Sequence, residues 1–425
     1  MHLGAAPGER DLRPTDTDLH GWADSLPRIA PESRHGTLAF VPARYGKDVV
    51  GGAETVLREV AHALADRGWA VEILTTCARD HFGWANEFAP GVEQVDGLTV
   101  RRFPAVVSTP RRDRAYFDEV ILAGGKLTLA DQQRWINDDM RCPELYHYLL
   151  DHASDYRALM FAPYLFWPSY ACSQLAPQKS ILCACAHDEP HLRLELFQPM
   201  FAGVAGLWFL AEPEHDLAHE VFPRLAPHRV VGCGIQAPGG YDPEGFRARH
   251  GLDGRLLVYA GRREGAKRWD QLLEAFARAA RRQHLPFTLV TMGVGEVKPP
   301  EDVRDRVVDL GLVSDDERNN AFAAADAYLQ PSAHEAFSRT VMEAWLAGAL
   351  VIANDASAVV RWHCDRSGAG LTYRDEHELE QCLAFLADMP GEARALAAGG
   401  RRYVLDHYAF DDVVDRIEAT IEEWT

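Results

Sequence analysis

Cysteine forms no framework in this sequence. Eight cysteines, at 77, 142, 172, 183, 185, 233, 364 and 382, are scattered through 425 residues without a CxxC pair. A disulfide-stapled scaffold is therefore excluded, and free thiols of a reducing cytoplasm are expected. Cys183 and Cys185 lie in "SILCACAH", where alternating small residues of a buried strand are the expected reading rather than a metal site. No apolar run reaches the roughly 18 residues that a membrane span requires. The N-terminus has no apolar core of a secretory signal, so a cytoplasmic protein without a transmembrane segment is expected. An excess of basic residues is missing too. Lys plus Arg number 44 against 63 Asp plus Glu, a formal charge of −19, which argues against nucleic acid or a broad anionic membrane surface as partner.

The chain does have enough length for two cores of roughly 200 residues each, with 47% hydrophobic and 25% charged residues in the globular range. Residues 1–36 read as an N-terminal extension rich in Pro, Asp, Arg and Gly. "TLAFVPARYG", "VVGGAE", "TVLREVAHALADRG" and "WAVEILTTCA" then alternate strand, glycine turn, helix and strand, a βαβ unit that implies a parallel sheet. Further strands are expected at "LTVRRFPAV", "YRALMFAPY" and "KSILCACAHD", the last ending at His187 and Asp188. Gly and Pro cluster in "VVGCGIQAPGGYDPEGFRARHGL", which places a domain junction there. The alternation then resumes from "RLLVYAG" to "GALVIAND". The expected organisation is an α/β chain of two Rossmann-like domains, 37–235 and 236–405, facing across a cleft. Residues 406–425 are expected as an amphipathic helical tail.

Two segments of the second half have matched chemistry. Arg262 and Lys267, in "YAGRREGAKRWDQLLEAF", follow the carboxyl end of a strand, where open parallel sheets bind ligands. Two cations there suit a diphosphate. "HEAFSRTVMEAWLAG" places Glu343 in a helix whose neighbours Val341, Met342, Ala344, Trp345 and Leu346 are apolar. A carboxylate buried in that way needs a donor from protein, water or ligand. Ser338 is expected as the N-cap, with the free amides of the helix start facing an anion. Arg101, Arg102, Arg111, Arg112 and Arg114 in "RRFPAVVSTPRRDR" read as a solvated basic loop, with a surface for an anionic lipid-linked molecule as the alternative. "SDDE" at 314–317 and "FDDV" at 410–413 read as a loop and as helix-start acids. Neither is an Asp-x-Asp metal motif, and no metal is expected.

On these residues the sequence resembles the retaining glycosyltransferases of the GT-B fold, in particular glycosyltransferase family 4. Gly261, Arg262 and Lys267 match the family's Gly-Arg and Lys loop, and Glu335 with Glu343 matches its E-x7-E segment. Gly51, Gly52 and Glu54 in "GGAE" resemble its glycine loop, and His187 in "HDEP" its strand-end histidine. The resemblance spans about residues 37–420. It implies that a hexose passes from a UDP- or GDP-hexose to an acceptor hydroxyl with retention, without further cofactor, in glycan, polysaccharide or glycoconjugate biosynthesis. Arg262 and Lys267 would hold the diphosphate, Glu335 would position the donor sugar, Glu343 would meet the ribose, and His187 would lie by the reacting sugar. Gly51, Gly52, Gly261, Ala336, Phe337, Ser338, Arg339 and Thr340 would complete the donor site. Ala336 and Ser338 depart from the glycines common in "EGFG", and Ser338-Arg339 brings a hydroxyl and a cation towards the donor sugar. The acceptor, whether sugar, lipid-linked or another small molecule, stays open, as does peripheral contact with a membrane. The alternative is a catalytically silent sugar-nucleotide or glycan-binding protein of the same fold.

Overall fold

A computed structural model gives the fold and describes residues 35–49, 51–107, 112–283 and 285–425. Most of the expected N-terminal extension, Arg111 and the side chain of Arg112 lie outside the described residues.

Strands such as Ala158–Ala162 and Leu350–Asn354 are runs of buried residues without polar alternation, as expected when helices cover both faces of a parallel sheet. The first sheet contains β1 (Thr37–Pro42), β2 (Ala70–Thr76), β3 (Gly91–Val95) and β4 (Leu98–Phe103). A small antiparallel ribbon of β5 (Val106–Val107) and β6 (Met140–Arg141) interrupts it, after which β7 (Ala158–Ala162), β8 (Ser180–Cys183), β9 (Gly206–Phe209) and β10 (His228–Val230) complete it. Its order is β10-β9-β8-β7-β1-β2-β4-β3, parallel throughout except for β3. The second sheet is wholly parallel. It comprises β11 (Arg255–Ala260), β12 (Phe287–Met292), β13 (Val307–Asp309), β14 (Ala327–Gln330), β15 (Leu350–Asn354) and β16 (Gly370–Tyr373), in the order β13-β12-β11-β14-β15-β16. This is the expected GT-B architecture.

Both orders reverse direction at one point, between β1 and β7 in the first sheet and between β11 and β14 in the second. Crossovers leave those points towards opposite edges and open a crevice beyond the carboxyl ends. The loops after β1, β7, β11 and β14 therefore flank these crevices.

Four expectations need correction. The strand of "KSILCACAHD" ends at Cys183, not His187, because Cys185 adopts a left-handed φ of 52° that breaks the ladder. Cys185 thus lies past the strand, with its Sγ 3.7 Å from that of Cys183. Arg101 and Arg102 are not solvated: they sit in β4, each no more than 2% exposed. Arg101 Nε donates to Glu72 at 3.0 Å and its guanidinium covers Tyr148, while Arg102 pairs with Glu93 and lies on Phe88. "SDDE" is a helix start, with the Ser314 hydroxyl accepting from the Glu317 amide at the head of helix Asp315–Ala324.

The C-terminal segment is also more than a tail. Helix Pro390–Tyr408 breaks at Ala409, and helix Phe410–Trp424 returns to the first sheet. There Trp208 Nε1 donates to Thr420 Oγ1 at 2.7 Å and Trp69 Nε1 to Glu418 at 2.7 Å. Arg67 adds ion pairs to Asp415 and Glu418. Gly206 is required below it, since a Cβ there would stand 1.9 Å from the Trp424 ring. Val413, Val414, Ile417 and Ile421 are buried, each contributing on the order of 2 kcal/mol relative to exposure. The chain thereby ties its last helix to its first domain's sheet.

Candidate active site

A cavity of about 970 Å³ occupies the crevice that the topology marks. Its walls come from both halves: Gly51 and Gly52 with helix Gly52–Asp66 on one side, and Gly261, Arg262, Lys267 and the 335–343 segment on the other.

The strand β11 leads directly into the cationic loop. Tyr259, packed at a tilt against Trp269 with ring centroids 4.8 Å apart, donates its hydroxyl to the Arg262 carbonyl at 2.6 Å and holds that turn. Gly293 permits the neighbouring loop to approach, with φ 130° and space so close that a Cβ would lie 2.1 Å from the Gly261 carbonyl oxygen. Only glycine fits such a contact. Of the two adjacent arginines, Arg263 is structural: it donates to the carbonyls of Gly293 at 2.7 Å and Gly295 at 2.9 Å and pairs with Asp309. Arg262 faces the cavity, paired with Glu264 at 3.2 Å and donating to His81 Nε2 at 3.3 Å. Burial and the cations Arg44 and Arg262 lower the His81 pKa to about 4, so a neutral ring accepts that bond at pH 7. Lys267, in the turn Gly265–Lys267, reaches Glu335 Oε1 at 2.7 Å. Both cations thus carry a carboxylate partner in the protein itself.

The segment after β14 departs from expectation at Ser338. It occupies the N-cap position, but its side chain caps nothing. Its φ of 69° is left-handed, a conformation costing about 1–2 kcal/mol for a residue with a Cβ, which accounts for the glycine more common in this motif. Ser338 Oγ instead accepts from Gln330 Nε2 at 2.7 Å. Phe337 is buried edge-on to His363 and Tyr408, Thr340 Oγ1 lies 2.8 Å from the Tyr328 hydroxyl, and Ala336 lines the cavity. Arg339 is spoken for as well: its guanidinium crosses to Glu59 at 2.9 Å and to the Gly234 carbonyl at 3.3 Å. The hydroxyl and the cation expected beside the donor sugar are held by the fold, and Arg339 ties the E-x7-E helix to the helix behind Gly51-Gly52.

Glu343 lies in helix Arg339–Ala347, which Gly348 ends in a left-handed cap. Its carboxylate has a protein partner that the sequence reading did not identify: Arg318 Nε donates to Oε2 at 3.0 Å, while Asp315 holds the same guanidinium at 2.7 Å. Among the described residues the other oxygen, Oε1, has only Arg339 at 3.9 Å, beyond hydrogen-bond range. Glu343 lines the cavity, so Oε1 keeps acceptor capacity towards it. Arg318 and Glu59 were not recognised in the sequence, since each is set by contacts 25 and 280 residues away.

His187 does not line the large cavity. It borders an adjoining one of about 330 Å³, and Glu335 lines both. Its Nε2 is 3.9 Å from Glu189 and its ring centroid 5.4 Å from that of His334. Nδ1 is buried without a partner among the described residues. Burial lowers the pKa, opposed by Glu189 and assisted by His334, so the ring is neutral at pH 7. Glu214, unrecognised in the sequence, fixes the turn before it. This fully buried carboxylate accepts from the Ala186 and Leu210 amides, each at 2.6 Å. Burial raises its pKa to about 8 against the pull of those two amides.

Residues 254–388 match the family model described as Glycosyl transferases group 1. The D-inositol 3-phosphate glycosyltransferase of Stackebrandtia nassauensis is 27% identical over 419 residues, 90% of this chain and 87% of that protein. The MMP alpha-(1->4)-mannosyltransferase of Mycolicibacterium hassiacum is also 27% identical, over 201 residues that make up 44% of this chain and 47% of that one. Among solved structures, Anabaena HepE in complex with UDP-glucose superimposes with a TM-score of 0.66 at 15% identity, covering 91% of this chain and 99% of the other. No described helix is long and apolar enough to cross a membrane.

Proposed function

We propose that the chain is a group 1 glycosyltransferase, the family whose model residues 254–388 match, and that it transfers a hexose from a nucleoside diphosphate sugar to an acceptor hydroxyl with retention. The observation that carries this reading is the convergence of Arg262, Lys267, Glu335 and Glu343 on one cavity at the switch point of the second sheet. In the reaction, the bond between the sugar's anomeric carbon and the diphosphate oxygen breaks. The acceptor hydroxyl attacks on the same face, and its proton goes to the departing phosphate oxygen. Arg262 and Lys267 stabilise the charge that develops on the diphosphate, from positions fixed before reaction. Glu335, released from Lys267 as the diphosphate takes that cation, positions the sugar between the two cavities. His187, with neither ring nitrogen in a hydrogen bond among the described residues, meets the sugar hydroxyls. The nucleoside is uridine or guanosine; HepE with UDP-glucose makes UDP-hexoses the first donors to test.

The test is release of nucleoside diphosphate from a panel of UDP- and GDP-hexoses, with and without mixed sugar and polyprenyl-phosphate acceptors, in excess EDTA. Release accelerated by an acceptor is expected, with retained configuration in the product and no loss to chelation. Binding of donor without any release would leave a silent sugar-nucleotide protein, and loss restored by magnesium or manganese would contradict charge stabilisation by these two cations alone.

Glu343 supplies a sharper test of the nucleotide's placement. Glu343→Gln keeps shape, so folding should be near native. The amide loses the charged acceptor facing the cavity, and nucleotide affinity should fall by about 1.5–3 kcal/mol, the range for hydrogen bonds to a charged group. That loss should vanish with 2′,3′-dideoxynucleotides measured by calorimetry. An equal loss for both nucleotides would reduce Glu343 to a structural partner of Arg318.

A further inference from the structure

Three histidines outside both cavities converge on one point. His215 and His219 are one turn apart on helix Glu212–Val221 and so share a face; His228 opens the neighbouring edge strand β10. Their ligand-capable atoms all lie within 4.8 Å of one another. The ring centroids are 4.5 Å apart for His215 and His219, 5.2 Å for His215 and His228, and 5.0 Å for His219 and His228. None of the three lines either cavity.

From this cluster we infer a binding site for a divalent transition metal, with His215, His219 and His228 as ligands. Three details go beyond proximity. His219 Nε2 and His228 Nε2 are 3.3 Å apart, the separation of two ligands at a tetrahedral zinc with Zn–N of about 2.0–2.1 Å. His228 Nδ1 lies 2.8 Å from the Ala226 carbonyl and His215 Nδ1 lies 3.1 Å from an Asp216 carboxylate oxygen. A carbonyl oxygen and a carboxylate oxygen at these distances favour the tautomer in which Nδ1–H donates and Nε2 keeps its lone pair. Outer partners of this kind orient metal-bound imidazoles. His219 is exposed, which leaves a fourth position to water. All-imidazole ligands select zinc, copper or nickel over magnesium and calcium. The ion would clamp β10 to the helix and take no part in transfer.

The experiment uses the full chain without an affinity tag, stripped with chelator and then given zinc alone. One zinc per chain should survive dialysis into metal-free buffer. Cobalt in its place should show the intense visible absorption of four-coordinate geometry. Zinc should raise the unfolding midpoint. His219→Ala, a change at the exposed member, should weaken zinc binding by about 100-fold or more, since even outer-partner losses reach 10–100-fold, and should abolish the thermal shift. His228→Gln is a second variant should His219→Ala fail to fold. Zinc retained equally by both variants, or no zinc retained by the native chain, overturns the site. Because chelation should lower the unfolding midpoint while leaving sugar transfer intact, the result stands apart from the proposed function.

Discussion

Lys267→Ala should lower donor turnover, read as nucleoside diphosphate released per enzyme, by about 10²–10³-fold in kcat/KM, the cost of removing one preorganised charge from a developing anion. Two effects add. The diphosphate loses a cation, and Glu335 loses the partner that it holds at 2.7 Å. An unpaired carboxylate then faces the incoming phosphates. Nucleoside diphosphate affinity should fall less, by about tenfold or 1.4 kcal/mol, because Arg262 remains. The excess of the catalytic loss over the binding loss is the part realised only in the transition state. Lys267→Arg keeps the charge and should recover part of both. Equal rates in native enzyme and Lys267→Ala, in steady-state assays over a range of donor concentrations, would remove this loop from the reaction.

His187→Ala should show the opposite partition. Turnover should fall about 10²-fold, equivalent to about 2.7 kcal/mol, with nucleotide affinity unchanged, since His187 borders the smaller cavity beyond Glu335. Its pH dependence adds a second readout. Burial depresses the folded-state pKa below the ordinary 6.5, so the neutral ring predominates from pH 6.5 upwards and protonates only as the pH falls below it. The native enzyme should therefore lose kcat on an acid limb below pH 6.5 that His187→Ala lacks. For stability the sign is the same: between the folded and unfolded pKa values the unfolded chain binds more protons, so the contribution from neutral His187 is present above pH 6.5 and lost below. Equal losses of turnover and nucleotide affinity would instead give His187 a structural role.

Much of this site could be read from the sequence because its elements are local. The strand, loop and helix around Arg262, Lys267 and Glu343 fall within short windows, and apolar runs such as "RLLVYA" and "LVIAN" locate strands of the second sheet. What escaped depends on distance along the chain. Glu343 has an arginine partner 25 residues earlier, and Arg339 is claimed by Glu59, 280 residues away. Polar type alone suggested solvent for Arg101 and Arg102, yet Glu72 on the adjoining strand and the rings of Tyr148 and Phe88 enclose them. Ser338 was expected as a cap on residue type, and its left-handed φ decided otherwise. The final helix carried a clear amphipathic pattern but no indication that Trp208 and Gly206 would receive it.

The central claim is that the cavity between the two sheets holds a nucleoside diphosphate on Arg262 and Lys267. Calorimetric titration of UDP and GDP into the native protein and into the Arg262→Ala, Lys267→Ala double variant tests it most directly. The account predicts one site per chain in the native protein for at least one of the two nucleotides, and a loss of at least about 2.7 kcal/mol, or 100-fold, in the double variant with its fold intact. Native affinity in the double variant, or no binding of either nucleotide to the native chain, would contradict it.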